Sequence, residues 1–474
     1  MSLEREILLR LPLAEAVLLL FAYVLDEAFL EDCFQRYRGR HYSRLLGFAQ
    51  LVYLVRDALI EHGGSARQSF QRAQQNGTLP VAIASAYAKL GRLPIPVSMA
   101  LLRQATQRLH DLLASRPAAL PPSLQKRPVI VLDGKTIKHA TRRLKPLRGR
   151  AGAVTGGKLL AALSLRDGLA LAMQATPDAD CNDLPLVPGL LAQLDRAAEP
   201  VLWVADRQYC DLRTTARCSE GPHDFLIRYS RNVAFQPDPA RPAHSGRDAD
   251  GRPWREVWGW LGAPSNPRHR YVRWIRLQRP GQEDLILITS LLDGQAYPAA
   301  DLLAVYQQRW GIERMFQQVT EVFTLRRLIG SRPEAMIFQA AFCLLLYNLI
   351  QVVRAYVAGA GAVEGGGGLD GAGVLRRAAG TGGLEPAGRS GRDGAAHGGV
   401  PGSGGGAGAV DGFARDALDA ALAQGPSEEA CPAAGLEAAQ PPGPHERLEG
   451  LAGTRPLAQT TSCNWTKMLT AVGQ

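Results

Sequence analysis

Val129-Ile130-Val131-Leu132-Asp133-Gly134-Lys135 and Val201-Leu202-Trp203-Val204-Ala205-Asp206-Arg207 are the two stretches on which the fold turns. Each is a short unbroken apolar run, rich in β-branched residues, that ends on an aspartate. Runs of this length without polar alternation read as strands buried on both faces. Between them, Leu159 to Leu165 and Leu169 to Ala175 flank the turn Arg166-Asp167-Gly168, which predicts a hairpin. A helix is predicted from about Leu184 to Ala197. The order strand, strand, strand, helix, strand is that of an RNase H-like core, so the fold class expected is α/β.

Outward from this core, residues 1–116 form an all-helical N-terminal domain expected to bind DNA. Apolar residues recur there at three- and four-residue spacing through Phe48 to Val55 and again through Met99 to Leu113. A Pro-rich joint, Pro117 to Pro128, ends it. The catalytic domain is expected over 126–357, with a β-rich insertion at about 212–297 that carries strand-like runs at Phe225 to Tyr229, Arg270 to Leu277 and Leu285 to Leu291. A separate, mostly β subdomain is expected of it. One long amphipathic helix follows, from Ala299 to Phe323.

The apolar stretch Met336 to Ala358 is interrupted by Gln339, Asn348, Gln351 and Arg354, which favours a core helix over a membrane span. Ala16 to Leu25 has acidic flanks, Glu15, Asp26 and Glu27, unlike a signal peptide. From 358 to 474 the composition changes: 28 of the 50 glycines lie within 351–474, in runs such as Gly365 to Gly368. That tail is expected to be disordered or the product of a shifted reading frame, because it offers too little apolar area to offset ordering.

The whole chain has 474 residues, 46% of them hydrophobic, and a net charge of +10, which favours a polyanionic partner. Seven scattered cysteines without a C-x-x-C pair indicate neither a disulfide framework nor a zinc ribbon. No phosphate-binding G-x-x-x-x-G-K-[ST] loop is present.

Asp133 and Asp206 stand at the ends of buried strands. A lone aspartate there serves equally as a turn or cap residue, but two carboxylates brought together favour a shared cation, and hard oxygen ligands suit Mg2+ or Mn2+. The third group shifts the balance. In Tyr306-Gln307-Gln308-Arg309-Trp310-Gly311-Ile312-Glu313, helical spacing puts Tyr306, Arg309 and Glu313 on one face, with Trp310, Met315, Phe316 and Val319 as apolar packing.

This Tyr-x2-Arg-x3-Glu pattern, preceded by Ile288-Thr289-Ser290-Leu291-Leu292-Asp293 and by Leu302-Leu303, resembles the C-terminal signature of the insertion-sequence-four family of DDE transposases. The similarity runs from about Phe48 to about Val353. It implies that Asp133, Asp206 and Glu313 are the catalytic, metal-binding carboxylates holding two Mg2+ or Mn2+ ions, and that a β-rich insertion separates the last two. It implies cut-and-paste transposition of an insertion sequence, with excision through a hairpin. The partners implied are double-stranded DNA with terminal inverted repeats and target DNA, bound by at least a dimer, in a bacterial cytoplasm. Where the family often has Lys, seven residues after the Glu, this chain has Thr320.

Tyr306 and Arg309 are expected to contact phosphates near the cut. From Lys126 to Arg150 there are nine Lys or Arg against one acid, Asp133. Lys135, Lys138, Arg142 and Arg143, with Arg207 beyond the second aspartate, are the expected DNA contacts. In the insertion, Arg268, Arg270, Arg273, Arg276 and Arg279 lie among Trp254, Trp258, Trp260 and Trp274, a composition suited to stacking a flipped base. Two other readings remain open: a catalytically decayed DNA-binding remnant, and another RNase H-like nuclease.

Overall fold

The computed structural model describes residues 20–41, 45–112, 120–137, 156–194, 199–321, 325 and 328–365. Lys138, Arg142, Arg143 and the expected glycine-rich tail lie outside the described residues. Phe21–Tyr356 form one compact unit.

Among the described residues, five α-helices precede the sheet: α1 (Glu27–Tyr37), α2 (Phe48–Ile60), α3 (Ala66–Gln75), α4 (Ile83–Leu90) and α5 (Ile95–Leu112). Asp26 caps α1 by accepting from the Phe29 amide, and Ser65 caps α3 through Gln68. α5 lies along the third strand of the sheet, and the same compact unit takes in both.

The sheet begins with β1 (Val129–Thr136), β2 (Lys158–Ser164) and β3 (Ala170–Thr176), an antiparallel meander. Gly168, at φ +69°, turns the β2–β3 hairpin. The predicted helix at 184–197 is a 3₁₀ turn at Leu184–Leu186 running into the short α6 (Val187–Gln193). The strand β4 (Leu202–Ala205) then pairs parallel with β1, and after α7 (Leu212–Cys218), β5 (Asp224–Arg228) pairs parallel with β4.

The remaining strands are β6 (Phe235–Pro237), β7 (His244–Arg247), β8 (Pro253–Leu261), β9 (Arg270–Leu277) and β10 (Leu285–Thr289). The sheet order is β3-β2-β1-β4-β5-β10-β9-β8-β6, with β7 on β8. Two expectations are corrected here. Residues 212–228 belong to the central sheet and its helices, since β5 extends the parallel pair. The insertion is not a separate subdomain either, because β10 pairs with β5 and carries the same sheet outward. Pairing between strands far apart in sequence leaves no local trace, which is why composition alone divided them.

The third correction concerns the helix expected over 299–323. It is two helices, α8 (Ala299–Gln307) and α9 (Trp310–Glu321). At the joint the amides of Gln308, Arg309, Gly311 and Ile312 each donate to the carbonyl three residues back, a tighter winding that ends one helix and starts the next.

α10 (Pro333–Gly365) follows; its segment Pro333–Ala355 is long and apolar enough to cross a membrane by composition, yet it is buried within the fold. Two polar groups on it are fully satisfied there. Gln339 accepts from the Ile329 amide at 2.8 Å. Asn348 accepts from the Ala170 amide at 2.8 Å and donates to the Ala170 carbonyl at 2.9 Å and to Thr106 Oγ1 at 2.8 Å. One amide thus joins α5, β3 and α10. Asn348→Leu leaves the Ala170 backbone groups buried without that partner and is expected to cost about 2–3 kcal/mol, read as a lower urea midpoint.

The core on one side of the sheet is built from Ile130, Leu132, Leu160, Ala162, Trp203, Ala205, Phe225, Ile227 and Ile288, packed with Leu186, Val187 and Leu190 of the α6 segment. Alternation along each strand sends the intervening residues to the other face, where α9 packs on β1 and α5 on β3.

Candidate active site

In the parallel pairing of β1 and β4, Val131 lies opposite Val204 and Leu132 opposite Ala205. One residue further come Asp133 and Asp206, level with each other and pointing, by alternation, to the face on which α9 lies. Asp206 is extended (φ −79°, ψ 178°) and opens a 3₁₀ turn, Arg207–Tyr209. Glu313 is in the first turn of α9.

Arg309, in the joint between α8 and α9, is the counter-charge of this group. The residue is 6% exposed, and its guanidinium donates to Glu313 Oε1 at 2.8 Å. Burial works against its charge, and Tyr306, Glu313 and Asp206 together outweigh it, so the group stays firmly protonated. Tyr306, 5% exposed, donates to Asp206 Oδ1 at 3.4 Å. Burial, reinforced by the Asp206 charge, pushes its phenol up. Tyr306 and Arg309, read from sequence as phosphate contacts, are therefore turned inward onto the carboxylates.

Burial pushes the Asp133 carboxyl up to about 6. Arg309 and the Gly134 amide, which donates to Oδ1 at 3.0 Å, hold it down, while Glu313 and Asp183 push it further up. A buried carboxylate among like charges is stabilised by a cation. The donor set, three hard oxygen ligands, suits Mg2+ or Mn2+ in kind. As the side chains stand, with Glu313 turned onto Arg309, no group of three or more His, Cys, Asp and Glu among the described residues is close enough to hold an ion.

The raised Asp133 carboxyl has a consequence for stability. Its folded value, about 6, exceeds its ordinary value of 3.8, so its favourable contribution is present below about pH 4 and lost as the pH rises through about 6. Without divalent cations, Asp133→Asn is expected to match the wild type near pH 4 and to be more stable above pH 6, by at most about 3 kcal/mol. Thermal midpoints of the two proteins across pH 4–8 check this, and a constant difference would refute it.

Lys135 of β1 reaches back over the site's helix, with Nζ 5.7 Å from the centre of the Phe316 ring. Arg207 points elsewhere: it pairs with Glu283 at 2.8 Å, and Arg228 pairs with the same carboxylate at 2.7 Å. The arginine track expected in the insertion is mostly engaged internally. Arg270 donates to the Thr215 carbonyl at 2.8 Å, Arg273 to Glu256 and the Tyr297 carbonyl, each at 2.6 Å, and Arg276 to Asp284 at 2.6 Å. Arg279 donates to the Glu283 carbonyl at 2.9 Å. Trp258 is buried and donates to the Leu292 carbonyl at 2.9 Å, and Trp274 stacks on Phe235.

Two residues near the site escaped the sequence reading. Trp310, which its apolar spacing assigns to packing, is 59% exposed beside Arg309, whose guanidinium lies 5.4 Å from its ring centre. Asp183 is a buried acid whose carboxylate lies against Gly134, the residue after Asp133. It sits in the polar run Asp180-Cys181-Asn182-Asp183, which looks like a solvated loop.

Residues 124–349 match the family described as a transposase DDE domain. That match supports a DDE transposase. A solved structure described as a piggyBac transposase synaptic complex with hairpin DNA is similar at 10% identity and a TM-score of 0.37, over 76% of this chain and 78% of that one. No curated protein matches the chain.

Proposed function

We propose that this chain is a DNA transposase of the insertion-sequence-four kind, with an RNase H-like core, that cuts out an insertion sequence and rejoins it to target DNA. The observation that carries the reading is the level pairing of Asp133 and Asp206 on adjacent parallel strands, on the face where α9 brings Glu313. The domain match over 124–349 supports it.

Asp133, Asp206 and Glu313 would hold two Mg2+ or Mn2+ ions. Such ions activate a water or 3′-hydroxyl on one side of a phosphodiester and stabilise the leaving oxygen on the other. The protein's own groups orient the carboxylates: the Gly134 amide fixes Asp133, the Tyr306 hydroxyl meets Asp206, and Arg309 restrains Glu313. Lys135 supplies positive charge beside the strand end for the DNA backbone. Pairing two element ends calls for at least a dimer in the complex with DNA.

A second reading, a DNA-binding remnant without cleavage, draws on one observation. The Thr320 hydroxyl, where the resembling family often has Lys, donates back to the Phe316 carbonyl of its own helix at 2.7 Å. Incubating the full chain with Mg2+, a duplex carrying the element's terminal repeat and a target plasmid separates the readings. The proposal expects a hairpin species on a denaturing gel, followed by end-joined plasmid. Binding of the terminal repeat without either product would favour the remnant, and nicks without joining would favour a plain nuclease.

A further inference from the structure

We propose that Asp183 is a positioning residue that ties the stretch of β1 carrying Asp133 to the turn after β4 that carries Asp206, an inference that rests on the carboxylate site described above.

Asp183 is 4% exposed, and a charged side chain at that depth costs several kcal/mol unless it is paired and hydrogen-bonded. Its partners come from different parts of the sheet. Lys158, the first residue of β2, meets Oδ1 as an ion pair at 2.6 Å while its ammonium donates to the Cys181 carbonyl at 2.7 Å. Gln208 Nε2 donates to Oδ2 at 2.6 Å, and the Tyr209 hydroxyl donates to the same oxygen at 3.2 Å. Gln208 and Tyr209 stand two and three residues after Asp206, in the turn that it opens. On the other side the carboxylate fills the space over Gly134, where a Cβ would overlap both of its oxygens. Gly134 is the residue whose amide donates to Asp133 Oδ1.

A continuous path therefore runs from Asp206 through the Gln208–Tyr209 turn to Asp183, and from Asp183 through Gly134 to the Asp133 carboxylate. A core ion pair serving stability alone would need only Lys158. Contact with the residue after Asp133 and with the turn that Asp206 opens is what a brace between them requires. Glycine at 134 is part of the same device, since any side chain there would displace Asp183. Groups that hold metal-binding side chains in place typically contribute about 10- to 100-fold in metal affinity.

The test is Mn2+ binding to the full chain, followed by electron paramagnetic resonance, with the thermal midpoint measured on the same samples. Gln208 is exposed, so Gln208→Ala should keep the fold, and its unfolding midpoint should stay at the wild-type value. We expect Gln208→Ala to weaken Mn2+ binding about tenfold, and Asp183→Asn and Gly134→Ala to weaken it at least as much. If Asp183→Asn or Gly134→Ala unfolds, Gln208→Ala decides. Wild-type affinity in Gln208→Ala, with binding still abolished by Asp133→Asn, would overturn the brace and leave the carboxylate site standing. Absence of Mn2+ binding by the wild type, or binding unaltered by Asp133→Asn, would overturn both.

Discussion

Glu313→Gln is expected to lower metal-dependent nicking of an element end by at least about a thousandfold while leaving DNA binding and stability close to wild type. Gln keeps the size of the side chain and an oxygen that can accept from Arg309, which in the wild type donates to Oε1 at 2.8 Å. What it loses is the negative charge. A neutral amide oxygen is a poor partner for Mg2+ or Mn2+, so an ion held by this residue would be weakened while the α8–α9 joint keeps its geometry. Nicking rates under single-turnover conditions, with binding measured separately in EDTA, read the two properties apart. Retention of more than about a tenth of the wild-type rate would remove Glu313 from the catalytic group.

The second large effect lies in stability. Arg309→Met keeps the length of the side chain but leaves Asp133, Asp206 and Glu313 without their shared counter-charge. Removing one partner of a buried pair costs about 3–5 kcal/mol, and the half-exposure of Glu313 reduces this to about 2–3 kcal/mol. At pH 8 without divalent cations the variant is expected to unfold at a clearly lower denaturant concentration. Mn2+ should restore more of the lost stability than it adds to the wild type, because a cation bound by the carboxylates would replace the missing charge. Equal Mn2+ effects on variant and wild type would mean that these carboxylates are not a cation site. Arg309→Lys should recover only part of the loss, since a compact ammonium cannot reproduce the guanidinium's planar contacts with Glu313, Tyr306 and Trp310.

These effects were approachable from sequence because the decisive features are local. An unbroken apolar run such as Val129 to Leu132 reads as a buried strand, and Asp206 does close its strand, whereas β1 runs on through Asp133 to Thr136 and keeps that aspartate within it. The turn at Gly168 is equally local, since it needs a residue at home with positive φ. The α8–α9 break left no mark: apolar spacing continues through Val305, Ile312 and Met315, and only the amides of 308, 309, 311 and 312, each bonded three residues back, reveal the tighter winding. That break alters the chemistry, because it leaves Arg309 in the joint, where it turns inward to the carboxylates instead of lying along an exposed helical face.

Non-local pairing leaves no local trace either. β5 is next to β4 and β10 next to β5, so the predicted insertion is continuous with the central sheet. The arginines of β9 looked like a DNA track because their partners, Glu256 of β8, Asp284 of the β9–β10 link and the Thr215 carbonyl of α7, are brought to them by the fold. Asp183 was overlooked for the same reason: its neighbours in sequence are polar, while its neighbours in space are Gly134, Lys158, Gln208 and Tyr209.

The most direct test of the account is cleavage of an end-labelled duplex carrying the element's terminal repeat, in Mn2+ and in EDTA, by the wild type and by Asp206→Asn. The expected result is a nick at the repeat that leaves a 3′-hydroxyl, requires the cation and disappears in the variant. Cutting in EDTA, or equal cutting by Asp206→Asn, would contradict it.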